Sequence, residues 1–123
     1  MRIRYFKHDK QDCTSLNKWL ARRKHEGVRR HELPRLGWII PGVAAAFARE
    51  CEGGVYILDS YVSNSLVSPL IRNAAIDELT VHIVKTLELA QGFWVFTTDE
   101  HTIIRAKKHG FKQLPHAVLT KGN

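Results

Sequence analysis

The chain opens on a short alternation of polar and apolar residues, Arg2-Ile3-Arg4-Tyr5-Phe6, rich in β-formers, which reads as a first strand. The period then becomes helical from about Cys13 to Lys24. Leu16, Trp19 and Leu20 form the apolar stripe, Asp12 is placed to cap the helix, and Gly27 to end it. Leu36 to Ile40 reads as a second strand, stopped by Pro41-Gly42. Residues 43–51, VAAAFAREC, hold alanines that would suit a helix. The Pro-Gly before them and Glu52-Gly53-Gly54 after them favour a hairpin strand instead.

Residues 55–62, VYILDSYV, are apolar on both faces except at Asp59 and Ser60, the pattern of a central strand covered on both sides. A helix is expected from about Asn73 to Gln91, with Ile76, Leu79, Ile83, Leu87 and Ala90 at helical spacing and Gly92 as its stop. Residues 93–98 form another buried strand. Thr98 or Asp99 can cap a further helix whose Gly110-Phe111 ending suggests a Schellman closure, and residues 111–121 read as a final strand with Pro115 at an edge or bulge. The order is therefore β-α-β-β-β-α-β-α-β. The crossover from 55 to 98 implies a parallel pair, and tight turns make the preceding strands antiparallel. An α/β protein follows, with one mixed sheet, helices on both faces, and a single domain over residues 1–123.

Composition adds charge to this picture. A hydrophobic share of 44% with 25% charged residues is that of a folded globular chain. No apolar run approaches the roughly 18 residues of a membrane span, and the N-terminal residues lack a signal-peptide core, so a cytoplasmic location is expected. Cys13 and Cys51 match no metal-ligand spacing and read as reduced thiols. The formal charge is +7, and residues 22–35 concentrate it, with six Arg or Lys against two Glu. That segment could meet nucleic acid, an acidic protein or cofactor phosphates, although a solvated helix end and loop would look the same. It lacks the interleaved aromatics of a single-strand binder.

The residues 68–79, SPLIRNAAIDEL, join a strand to a helix, the arrangement in which backbone N–H groups and a helix N-terminus cradle phosphate. Asn73, Ala74 and Ala75 stand where glycines would be expected, while Arg72 adds charge. Asp59 is the leading general base, since a carboxylate buried in a strand has its pKa raised; a buried aspartate bonded to backbone N–H groups is the competing reading. Glu50 and Glu52 are alternatives beside the hairpin. Tyr61 reads as core. His101 lies at a helix start, and no histidine pair has ligand spacing, so no metal is expected.

These elements and residues resemble those of the GNAT superfamily of N-acetyltransferases, and in particular its short, divergent bacteriophage members. Residues 58–64, LDSYVSN, are similar to the strand before the family's cofactor loop. Arg72 followed by a helix resembles the acetyl-coenzyme A loop, and residues 97–111, TTDEHTIIRAKKHGF, resemble the closing helix. The resemblance covers nearly the whole chain, most strongly residues 43–111. It implies acetyl transfer from acetyl-coenzyme A to an amine acceptor, with Asp59 or a water it orients as base. The backbone of Tyr61, Val62 and Ser63 would bond the pantetheine arm where two strands splay, while Arg72, Asn73, Ala74 and Ala75 bind pyrophosphate. Asp99 would contact the cofactor from the last helix. Two features depart from the family: the loop has no glycine, and Ala106 stands where a tyrosine usually protonates the leaving thiolate. Both suit the alternative of a lapsed enzyme that binds nucleic acid or an acidic protein through its basic face.

Overall fold

The computed structural model describes residues 1–122. Its strands are β1 (Arg4–Tyr5), β2 (Leu36–Ile40), β3 (Ala44–Cys51), β4 (Val55–Ser63) and β5 (Gly92–Trp94), and its helices α1 (Lys10–Arg22), α2 (Pro69–Thr86) and α3 (Glu100–Lys108). The strands form one sheet in sequence order. Pairing is antiparallel from β1 to β4 and parallel between β4 and β5, as the crossover through α2 requires. The α/β mixed sheet expected from the sequence is the fold observed.

Each face of the sheet is covered. Trp38, Ile40, Ala44, Ala46, Ala48 and Leu58 pack under Ala75, Leu79 and Ile83 of α2. On the other face Phe6, Ile39, Ala45 and Phe47 pack under Leu16 and Trp19 of α1. The alanine-rich segment is thus a central strand, β3, whose small side chains let helices approach from both sides. Aliphatic burial on both faces outweighs alanine's helical propensity. Gly37 serves the same layer: a Cβ there would stand 2.6 Å from the Phe47 ring.

Several boundaries differ from the sequence expectation. Asp9, not Asp12, caps α1 by accepting from the Asp12 N–H. Asp12 is instead buried, with its carboxylate held by both terminal nitrogens of Arg4 at 2.8 Å and by the Lys7 N–H at 2.7 Å. α1 closes before Gly27: Lys24 takes the left-handed conformation (φ 59) and His25 N–H reaches Leu20 O at 3.0 Å. α2 begins four residues before Asn73, because Ser68 caps it and Pro69 fills a position that needs no N–H donor. It ends at Thr86, and Gln91 N–H bonds Gly54 O as the chain enters β5. The strand expected over 93–98 is limited to Gly92–Trp94, and residues 111–122 form no strand. Pro115 removes a ladder donor there, and so short a β5 offers little edge to pair with. The closure of α3 is the expected one, with Phe111 N–H on Ala106 O and Gly110 at φ 88.

Candidate active site

β4 and β5 pair only at Val55–Gly92, Tyr56–Phe93 and Ile57–Trp94. β4 continues to Ser63 while β5 stops, so the strands part beyond Ile57 and leave a strand edge without a partner on that side. On its other side β4 carries a bulge: the step from Asp59 to Val62 opposes the shorter step from Phe47 to Ala45 on β3. Ser60 supplies the turn in backbone direction with φ 55. The extra residue resets the alternation of side chains. Tyr61, which would otherwise share the α1 face with Asp59, joins the α2-side cluster, and Val62 joins the α1 side.

Polar groups surround this parting. Asp59 stands two residues past the last β4–β5 pair, with its side chain 42% exposed and 3.3 Å from Arg49. The burial assumed for it from the sequence is therefore absent, because the bulge brings β4 to the surface there. Tyr61 Oη lies 2.9 Å from Thr80 Oγ1 of α2, and burial raises the Tyr61 pKa, with the Thr80 bond and Arg105 opposing. Ser63 is buried and tied to α1, its Oγ accepting from Arg23 at 2.8 Å. Arg72, in the first full turn of α2, has a buried Nε with no hydrogen-bond partner among the described residues. Such a donor is costly unless something accepts from it, and a phosphate oxygen is a fitting acceptor. α3 is clamped beside α2: Arg105 donates to Asn73 Oδ1 at 2.7 Å, and His109 Nε2 lies 2.9 Å from Asp77.

The solved structures of greatest likeness share this arrangement over their whole length. A Thermus thermophilus protein superposes with a TM-score of 0.70 at 15% identity, over 99% of this chain and 97% of its own. A candidate acetyltransferase from Agrobacterium tumefaciens gives 0.72 at 10% identity, covering 99% and 100%. An acetyltransferase of Trypanosoma brucei gives 0.66 at 14%, covering 98% of each chain. The chain has the acetyltransferase fold. No protein-family model and no curated protein matches it.

Within the acetyltransferase fold the residues singled out from sequence fall into two groups. Asp59, Tyr61, Val62 and Ser63 lie together where β4 leaves β5. Asn73, Ala74 and Ala75 lie in the second turn of α2, so their N–H groups belong to the helical ladder; Asn73 is engaged by Arg105 and Ala75 is fully buried. The amides at the true start of α2 are those of Leu70 and Ile71, the latter reached by Ser68 Oγ. Asp99 caps α3, and its hydrogen bonds from Thr102 lower its pKa. Thr80 and Arg23, which hold Tyr61 and Ser63, had no signal in the sequence, since both contacts cross between elements. The Ser68-Pro69 pair did carry one, as a cap followed by a first-turn proline.

The widest cavity, about 1150 Å³, lies elsewhere, between Trp94, Phe96, α3 and residues 112–118. None of Asp59, Tyr61, Ser63 or Arg72 lines it. It is the space left where the final strand does not pair. Among the described residues no group of three His, Cys, Asp or Glu side chains could hold a metal ion, and no helix is long and apolar enough to cross a membrane.

Proposed function

We propose that this chain is an acetyl-coenzyme A-dependent N-acetyltransferase of the GNAT type, with the short phage members as its nearest pattern and the cytoplasm as its compartment. The observation that carries the reading is the parting of β4 from β5 after Ile57, with the bulge at Ser60 beside it. An extended amide-bearing arm can lie in that parting as a pseudo-strand against the backbone of Tyr61, Val62 and Ser63. Arg72, with its unpartnered Nε, meets the pyrophosphate, and the positive end of α2 at Leu70 and Ile71 adds to it. Asn73, Ala74 and Ala75 support this end from the second turn, and Asp99 accepts from donor groups of the cosubstrate.

In the reaction Asp59, or a water it orients, takes a proton from the acceptor amine. The nitrogen attacks the thioester carbonyl, and the carbon–sulfur bond breaks to release the thiolate. Holding the thioester and amine side by side supplies much of the rate. Residues 22–35 are exposed and pinned to α1 through Asn17 and Val28, and would frame the acceptor side. They are the place to seek nucleic acid or an acidic protein as the acceptor's carrier or as a separate partner.

Calorimetric titration with acetyl-coenzyme A tests the reading. Micromolar binding is expected. Arg72→Ala should weaken it by about ten- to a hundredfold, or roughly 1.5–3 kcal/mol, at nearly unchanged thermal stability. Absence of binding at millimolar cosubstrate would refute the enzyme and leave a scaffold that acts through its basic face.

A further inference from the structure

Tyr61 has a hydroxyl to which the reaction above gives no task. Thr80 Oγ1 donates to the Ile76 carbonyl at 2.9 Å, one turn back along α2. With its only proton engaged there, Thr80 can only accept in the 2.9 Å contact with Tyr61, so the proton of that bond belongs to Tyr61 Oη. The bulge is what brings this hydroxyl to the α2 side, one residue past Ser60, where β4 has left β5. Its surroundings are otherwise apolar. Phe93 and Val95 of the β5 segment and Phe111 after α3 share the same cluster, Ala45 and Phe47 flank the bulge on β3, and the charge acting on it is Arg105 of α3. α3 itself offers Ala106 and no tyrosine.

We infer that Tyr61 is the general acid of the transfer, reaching from the sheet into the space between α2 and α3. This rests on the function proposed above. As the nitrogen–carbon bond forms and the carbon–sulfur bond breaks, the thiolate takes the Tyr61 hydroxyl proton and leaves as the thiol. The Thr80 hydroxyl then turns its proton from the Ile76 carbonyl to the phenolate, with Arg105 as a nearby positive charge. The proton that Asp59 took from the amine passes to solvent, and an equal one returns to Tyr61. Burial keeps the phenol protonated through the neutral range, as an acid must be.

Hydroxylamine as acceptor, with thiol release as the signal, allows a test without the natural acceptor. Tyr61→Phe should bind acetyl-coenzyme A within twofold of the parent by calorimetry, keep its KM, and lose about a hundredfold in kcat. In the ligand-free protein, ultraviolet titration of that variant should lack the last tyrosine to ionise. Thr80→Val, which leaves Tyr61 in place, should move the alkaline limb of the kcat profile to higher pH, since the bond that eases ionisation is gone. Intact binding with kcat within twofold in Tyr61→Phe, or an unmoved alkaline limb in Thr80→Val, would overturn the assignment to Tyr61 alone. A parent that binds no acetyl-coenzyme A would overturn the function beneath it as well. Should Tyr61→Phe fail to fold, the Thr80→Val profile still decides.

Discussion

At the scale of single residues, Asp12 couples the sheet to α1. Its carboxylate accepts from Arg4 and from the Lys7 N–H while only 5% of its side chain is exposed. The Arg4 bond, assisted by the Lys7 N–H, outweighs burial and lowers the Asp12 pKa. A folded-state pKa below that of the unfolded chain means stability that is present above about pH 4 and is lost as the pH falls through the folded value. Asp12→Asn should cost about 2–3 kcal/mol at pH 7, less than a fully buried pair because Arg4 keeps access to water. Urea unfolding at pH 7 and pH 3 checks this. The gap between parent and variant should narrow at the lower pH, and a gap of equal size at both would rule the ion pair out as its cause.

At the scale of elements, α2 decides how an anion could be held. Ser68 and Pro69 start the helix early, so Ala74 and Ala75 occupy interior positions where alanine is the best residue. Ala74→Gly should destabilise by roughly 0.5–1 kcal/mol, and Ala75→Gly by somewhat more, since Ala75 also loses a fully buried methyl. Neither change should tighten acetyl-coenzyme A binding, because helix geometry already fixes these amides. Thermal melts give the first quantity and calorimetry the second. A clear affinity gain in the double glycine variant would mean that the alanines obstruct a cradle that glycine would open.

At the scale of the whole molecule, two apolar layers close over one sheet, and neither uses the C-terminal residues. Residues 112–122 are exposed and without regular structure, and Leu119 is 91% exposed. A chain ending at Lys112 should therefore keep its circular dichroism spectrum, with unfolding free energy changed by no more than about 0.5 kcal/mol. A large loss of stability would show that these residues pair with the β5 edge as the strand their sequence suggests.

Strand and helix periods along the sequence determined the crossover, the mixed sheet and the identity of both core faces, because burial on one or two faces writes a period of two, a period of 3.6 or an apolar run directly into the chain. Local chemistry at Asp99 and Gly110 likewise determined both ends of α3. What only the tertiary structure decided are the features made by partners distant in sequence. Asp12 looked like a cap because no local pattern reports Arg4 folding back over it. Asp59 looked buried because its strand is apolar, whereas the bulge that exposes it arises from a mismatch with β3. The length of β5, the turning of Tyr61 toward Thr80, and the unpartnered Nε of Arg72 belong to the same class. Each depends on where one element ends against another, and that is fixed by packing between segments and not by the residues of either segment alone.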